Sequence, residues 1–300
     1  MSEAVAQQVL RLSNYIASGF PYYTDVYVPI INTITNKANI ILKMSTNTWY
    51  TVRSNGGNST IDRLVIGDGL LGTFSEINLD TAIVIGGTVT SDHYAYCQVR
   101  WWDSTNIAVF TVDQDSPYAL KLYTVNINTG VVTSKGTLIA TVDASSSGLQ
   151  IGVNSTHIYV KTIDTSIGFP QNNYIKKFLK TDLSVENYHM ALLFYRTGST
   201  YKTFYFYTSM AVTTNYLWFF NYSTAVDDED IRLWVSSISN IPKTVCISGN
   251  LLHMFSIHMF SSGKFYYQTD YDGLTVYFTG NNGTGAFYIT ESDLIKYGAL

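Results

Sequence analysis

Residues 119–132 read ALKLYTVNINTGVV, an apolar run of strand length followed by a polar corner. The corner has the form Asn-x-x-Thr-Gly, from Asn126 to Gly130. Asn and Gly favour tight turns, because Asn hydrogen-bonds its own backbone and Gly accepts a positive φ. The stretch therefore predicts a β-strand that ends in a sharp turn.

Two types of apolar strand recur along the chain in a fixed order. Strands like the one above occur as YIKKFLKTDLS from Tyr174, DIRLWVSSISN from Asp230 and GAFYITESDL from Gly285. The other type follows a turn residue and occurs as ANIILKM after Lys37, HYAYCQV after Asp92, HIYVKTI after Thr156, YLWFFNY after Asn215 and LTVYFTG after Gly273. Successive turn residues of this type are separated by close to one fifth of the chain. Five repeated antiparallel sheets would therefore fill it.

The segment ALKLYTVNINTGVV resembles the third strand and following turn of a β-propeller blade. This resemblance implies an all-β propeller of about five blades, each a sheet of about four strands. The last repeat has room for about two strands, so the strand PYYTDVYVPI from Pro21 is expected to complete it and bring the chain ends together. We therefore expect one propeller domain over residues 20–300. The alternatives are a β-sandwich and a double jelly roll.

Residues 1–19 differ from the rest of the chain, because apolar side chains recur there at helical spacing. Ser2 could cap this helix, and Gly19 with Pro21 would end it. We expect a short N-terminal amphipathic helix that packs on its own domain or docks on a neighbouring subunit. Its apolar face consists of Val5, Val9, Leu12 and Ile16.

The composition is poor in charge, with 13% charged residues, a net charge of -4 and 24 tyrosines. Aromatic and hydroxyl side chains favour a pleated β surface. The absence of a basic patch argues against nucleic acid as a partner. No run reaches the roughly 18 apolar residues of a membrane span. The N-terminal segment does not read as a secretory signal, because polar residues interrupt it.

No motif predicts catalysis, a metal or a cofactor. A glycoside hydrolase needs two carboxylates that flank the scissile bond, and none lies in a predicted inner strand. The acidic run from Asp227 to Asp230 lacks the alternation and glycine of a calcium loop. The five histidines show no zinc spacing. The sequence therefore predicts a chain without enzymatic activity.

Aromatic residues are the candidate binding groups. Trp101 and Trp102 precede Asp103, and Tyr22 and Tyr23 lie in the entering strand. Exposed aromatic rings stack on sugars or anchor protein interfaces. Adjacent strand residues face opposite ways, so only one of the two tryptophans can be exposed.

Four Asn-x-Ser/Thr sequons are candidate glycosylation sites in a chain that meets the modifying enzymes. They begin at Asn58, Asn154, Asn221 and Asn282.

These observations favour a non-enzymatic interaction or attachment module of a virion or similar extracellular assembly. The composition is typical of extracellular proteins although no export signal is present, and its style resembles that of structural proteins of archaeal viruses. The expected partners are other protein subunits and surface glycans. The alternatives are a carbohydrate-active propeller, either a lectin or a glycoside hydrolase, and a cytoplasmic scaffold. Cys97 and Cys246 are expected to be buried thiols.

Overall fold

The computed structural model describes most of the chain between residues 22 and 289. The described ranges are 22–24, 34, 36–43, 46, 48–56, 59–68, 73–85, 97–113, 118–142, 150–164, 172–191, 194–197, 200–203, 209–222, 230–238, 252–258, 264–270, 273–280 and 283–289. The residues of the predicted N-terminal helix lie outside these ranges. No helix within them is long and apolar enough to cross a membrane.

The described ranges form an all-β fold with five four-stranded sheets, which we call blades. Blade 1 contains β2 (Ile41–Lys43), β3 (Thr48–Arg53), β4 (Thr60–Asp68) and β5 (Phe74–Val84). Blade 2 contains β6 (Cys97–Trp101), β7 (Asn106–Val112), β8 (Leu120–Asn126) and β9 (Val132–Ile139). Blade 3 contains β10 (Gln150–Val153), β11 (His157–Asp164), β12 (Asn172–Leu179) and β13 (Val185–Ala191).

The later part of the chain repeats this antiparallel pattern. Blade 4 contains β16 (Ser209–Val212), β17 (Tyr216–Tyr222), β18 (Asp230–Ser237) and β19 (Leu252–His258). Blade 5 contains β20 (Lys264–Asp270), β21 (Gly273–Gly280), β22 (Gly283–Ile289) and β1 (Tyr22–Thr24). A separate hairpin, β14 (Phe194–Thr197) with β15 (Thr200–Thr203), lies between blades 3 and 4 in the chain.

The first strands of the five blades contact one another in chain order, and β20 also contacts β2. The inner strands thus form a ring, which is the arrangement of a β-propeller. The prediction of an all-β propeller of about five blades is confirmed. In blade 5 the outermost strand comes from the other end of the chain, because Tyr22 pairs with Tyr288 and Thr24 with Ala286.

The predicted equivalence of strands holds for one strand type and fails for the other. All four strands of the ALKLYTV type are the third strand of their blade, namely β8, β12, β18 and β22. The other type was wrongly treated as one element, because ANIILKM and the described CQV of HYAYCQV belong to inner strands. The remaining three belong to the second strands β11, β17 and β21. Inner and second strands are both buried, so their apolar runs look alike in sequence.

The turn after β8 forms as its sequence predicts. The side-chain oxygen of Asn126 accepts hydrogen bonds from the backbone N–H groups of Asn128 (3.0 Å) and Thr129 (3.1 Å). Gly130 has a φ of 73°, where glycine avoids the steric cost of a side chain.

Apolar side chains fill the spaces between neighbouring blades. Val99, Val109 and Val125 belong to the core between blades 1 and 2, whereas Phe110, Ile151 and Phe178 belong to the core between blades 2 and 3. Since alternate residues of a strand face opposite sides, each blade contributes to two cores. The described core therefore lies in two spaces, between blades 1 and 2 and between blades 2 and 3.

Polar side chains also connect one inner strand to the next. Asn39 donates to the carbonyl oxygen of Val99 at 3.0 Å and accepts from its N–H at 2.7 Å. Asn154 donates to the carbonyl oxygen of Thr213 at 3.1 Å. Such bonds set the spacing between blades at the centre of the ring.

Candidate functional site

A polar residue lies at or near the start of each inner strand. In blade 1 it is Lys37, which pairs with Arg53 four residues before β2. In the other blades it is Gln98, the second residue of β6, and the first residues of β10, β16 and β20, namely Gln150, Ser209 and Lys264. Because inner strands run in the same direction around a propeller, these five positions lie on one face. We call Lys37, Gln98, Gln150, Ser209 and Lys264 the polar ring.

Next to the polar ring, Arg100 joins blade 2 to blade 3. Its Nε donates to the carbonyl oxygen of Ile151 at 2.6 Å, and one terminal nitrogen donates to the carbonyl oxygen of Val99 at 2.7 Å. The other terminal nitrogen donates to Oε1 of Gln98 at 3.0 Å. Burial without a carboxylate lowers the pKa of Arg100 to about 10. Arg100 therefore remains charged at neutral pH and holds β6 against β10.

On the other face of blade 3, two buried polar groups lie opposite each other without partners among the described residues. Gln150 and Lys161 are cross-strand neighbours in β10 and β11. Oε1 of Gln150 accepts no hydrogen bond from the described part of the chain. The side chain of Lys161 makes no hydrogen bond or ion pair with the described residues, and burial lowers its pKa to about 8. These two groups could bind a polar ligand.

Among the residues whose burial the structure describes, the buried polar side chains include three basic groups and no carboxylate. The basic groups are Lys37, Arg100 and Lys161. Within the described ranges, no group of three or more His, Cys, Asp or Glu could hold a metal ion. The buried basic groups favour ligand groups that accept hydrogen bonds or carry negative charge.

The predicted aromatic site is divided between the core and a contact between blades. Trp101 is buried, and its ring meets the edge of Tyr50 at 5.4 Å. Trp101 is therefore the member of the pair that points inward, into the core of blades 1 and 2, as strand alternation requires. Trp102 is half-buried, and the ammonium group of Lys180 lies 4.3 Å from its ring centre.

Asp103 organises the turn that follows Trp102. Its Oδ1 accepts hydrogen bonds from the backbone N–H groups of Thr105 and Asn106, both at 2.9 Å. These bonds lower the pKa of Asp103 although partial burial opposes them. A ligand-binding role of Trp102 and Asp103 stays a prediction, and so does that of Tyr22 and Tyr23, whose backbone lies in β1.

The structure describes two of the four candidate glycosylation sites, Asn154 and Asn221. Asn154 already uses its amide group for Thr213, while its oxygen accepts from the N–H groups of Thr156 and His157. A glycan on Asn154 would compete with this bond between blades. Asn58 and Asn282 lie outside the described residues, and Asn221 lies in β17.

Of the two cysteines, the structure describes one. Cys97 is a buried free thiol, and burial raises its pKa. Cys246 lies outside the described residues. Since only the thiolate is a strong nucleophile, Cys97 is chemically inert at neutral pH.

The sequence analysis missed Gln98, Arg100, Gln150 and Lys161 as candidate site residues. The available signal was a polar residue near the start of each inner strand. This signal required the correct identification of the inner strands, which the repeat pattern alone did not provide.

The chain is similar in fold to many solved structures, among them the following three. An endo-arabinase from Bacteroides thetaiotaomicron matches with a TM-score of 0.46 and 11% identity, over 85% of this chain and 92% of that one. A GH43 endo-arabinanase from Bacillus licheniformis matches with a TM-score of 0.41 and 13% identity, over 86% and 93%. The lectin SapL1, in complex with alpha methyl fucoside, matches with a TM-score of 0.42 and 10% identity, over 85% and 79%.

No protein-family model and no curated protein matches the sequence. The prediction of a chain without enzymatic activity is contradicted, because two of the three proteins with a similar fold are enzymes. At these identities the similarity concerns the fold and assigns no catalytic residue. None of the three supports the resemblance to archaeal virus proteins.

Proposed function

We propose that this protein is a carbohydrate-active propeller that binds a saccharide at the polar ring. The observation that carries this proposal is that Oε1 of Gln150, in the polar ring, is buried without a partner in the described part of the chain, and that the buried Lys161 lies opposite it. Unsatisfied buried polar groups are uncommon in native proteins and call for a ligand, an ion or water. A saccharide offers many donors and acceptors on a small molecule, and it can satisfy amide, hydroxyl and ammonium groups together.

The site has the mixed character expected of a small-molecule site. Apolar core residues surround a few placed polar groups, which is the usual composition of ligand-binding clefts. Arg100 and Asn39 fix the inner strands through hydrogen bonds, so the site is built on rigid elements. A preformed site loses less conformational entropy when it binds its ligand.

Binding is the step that the described residues support. Hydrolysis requires two carboxylates separated by about 5 Å or by roughly 6.5–9.5 Å. Of the side chains that the structure describes, the buried set contains none. Release of reducing sugar should therefore be measured together with binding, because a propeller of this kind can be a lectin or a hydrolase.

Calorimetric titration of the full chain with a saccharide panel tests the proposal. The panel should contain arabinan oligosaccharides, fucosides and acidic oligosaccharides. We expect at least one to bind, and Gln150→Leu should weaken that binding at least fivefold because it removes an acceptor. Thr133→Val, on an exposed position of β9, is the matched control and should bind normally. Absence of binding across the panel would refute the proposal.

The assembly role is a separate prediction. Removal of residues 2–17, which include the predicted helix, should abolish association with other subunits and leave the β fold intact. Light scattering and circular dichroism of the shortened chain measure these two properties. Normal association of the shortened chain would exclude a docking role for the helix.

A further inference from the structure

Lys161 differs from three other lysines of the described part in having no partner there. Lys121 lies 2.7 Å from a carboxylate oxygen of Asp113, and Lys177 lies 2.7 Å from one of Glu186. Lys180 donates to the carbonyl oxygen of Asn154 at 3.1 Å. Lys161 is only 3% exposed and has no such contact with the described residues. An unpaired buried charge is strongly destabilising, so Lys161 lacks the group that would compensate it.

Gln150 presents an open acceptor on the same side of blade 3. Directly opposite residues of an antiparallel pair have Cβ atoms about 5 Å apart on one face. Gln150 and Lys161 are such a pair. By contrast, Oε1 of Gln98 accepts from Arg100, whereas Oε1 of Gln150 accepts from no group in the described ranges. The ammonium group of Lys161 and the amide oxygen of Gln150 therefore share one face of blade 3, and neither has a partner among the described residues.

A residue of blade 4, Val212, packs against the face of blade 3 that carries Gln150 and Lys161. Gly152 shares the face of Gln150, and a Cβ atom on Gly152 would lie 2.2 Å from Cγ2 of Val212. Val212 is fully buried, so its methyl group occupies the position that a side chain would take. An apolar wall lowers the local dielectric constant and strengthens charge interactions at Lys161.

The chemistry of the pair restricts its ligand. The ammonium group of Lys161 needs hydrogen-bond acceptors, and a carboxylate stabilises its charge more strongly than neutral oxygens do. Oε1 of Gln150 needs a hydrogen-bond donor. A fully ionised phosphate or sulfate offers acceptors alone, and a neutral sugar leaves the ammonium charge uncompensated. A carboxylate with a neighbouring hydroxyl group satisfies both.

We infer that Lys161 and Gln150 form a subsite for an acidic sugar, with the carboxylate on Lys161 and a hydroxyl donating to Gln150. This inference rests on the proposed saccharide site and specifies its substrate class. Loss of the ammonium group should then affect acidic ligands selectively.

The test uses the full chain and matched pairs of probes. Oligogalacturonates, glucuronate oligosaccharides and sialyllactose are titrated as free acids and as methyl esters, which keep the hydroxyl groups and lose the charge. We expect one acid to bind at least tenfold more tightly than its ester. Lys161→Met should weaken binding of that acid at least tenfold and leave binding of the ester unchanged.

Lys177→Met is the matched control, because it removes an equal charge from an exposed ion pair and should leave binding of the acid unchanged. Circular dichroism checks that each variant is folded. Gln150→Leu provides a second folded variant and should weaken binding of acid and ester alike.

The outcomes separate the two proposals. Equal binding of acid and ester, with no effect of Lys161→Met, would overturn the acidic-sugar subsite and leave saccharide binding intact. Binding of neutral oligosaccharides alone would have the same meaning. No binding of any saccharide would overturn both.

Discussion

Blade 3 has a buried cation on each side, and the two have opposite surroundings. Arg100 of blade 2 reaches the first side and donates to three oxygen atoms. Lys161 of blade 3 faces the second side and donates to none in the described ranges. Arg100 and Lys161 are thus buried to a similar extent, but only Arg100 has hydrogen-bond partners among the described residues. The difference indicates that Arg100 stabilises the ring, whereas an unpaired Lys161 reduces its stability.

The largest expected effect comes from removal of the satisfied cation. Arg100→Met leaves the carbonyl oxygens of Ile151 and Val99 and the amide oxygen of Gln98 without this donor. Hydrogen bonds to charged groups contribute roughly 1.5–3 kcal/mol each, but the variant also recovers the desolvation cost of the buried guanidinium. We therefore expect the free energy of unfolding to fall by about 3 kcal/mol. Urea denaturation followed by tryptophan fluorescence measures this change. Unchanged stability would mean that the Arg100 bonds do not fasten blades 2 and 3.

A smaller effect of opposite sign is expected from removal of the unsatisfied cation. Lys161→Met replaces a buried ammonium group by an apolar chain of similar length. The free energy of unfolding should rise by about 2 kcal/mol, because the desolvation cost disappears. The same urea titration, without ligand, measures it. A fall in stability would show that Lys161 has a stabilising partner and would remove the contrast with Arg100.

The smallest expected effect is a dependence of stability on pH. Burial lowers the pKa of Lys161 and of Lys180 to about 8, while both have ordinary values near 10.5 in the unfolded chain. Between pH 7 and 9 the unfolded chain therefore binds more protons, and stability rises with pH. We expect a rise of about 1 kcal/mol from Lys161, which Lys161→Met should abolish while Lys180 maintains a residual slope.

Two buried groups act in the other direction, Cys97 from about pH 8 and Tyr159 from about pH 9. Lys161→Met keeps both groups, so the difference between its pH profile and that of the original chain isolates Lys161. Burial raises the pKa of Cys97, and it raises the pKa of Tyr159 to about 12. The unfolded chain loses these protons first, so their contributions to stability are lost as pH rises further. Identical profiles of the original chain and of Lys161→Met between pH 7 and 9 would contradict the lowered pKa of Lys161.

Much of the fold could be predicted from local patterns. The corner at Gly130 and the third strands were recognisable, because turn chemistry and short apolar runs are local properties. The identity of the inner strands was not recognisable. The run ANIILKM is an inner strand and HIYVKTI a second strand, yet both are apolar because both are covered by neighbouring blades.

The candidate site could be predicted much less well. Adjacent tryptophans draw attention in a sequence, but Trp101 is a core residue and Lys180 lies beside the ring of Trp102. Lys161 resembles an ordinary exposed residue in the alternation of HIYVKTI. Its burial depends on the blade that packs against it, whose first strand begins only at Ser209, after the whole of blade 3 and the separate hairpin.

The sequence by itself determined the strand content, the approximate number of repeats and the turn after β8. Hydrophobic periodicity and turn residues act over a few neighbouring positions, so they can be read from one chain. Only the tertiary structure decided which strands surround the centre and which polar groups have partners. Burial and pairing depend on residues from different blades, and closure of the ring brings those residues together.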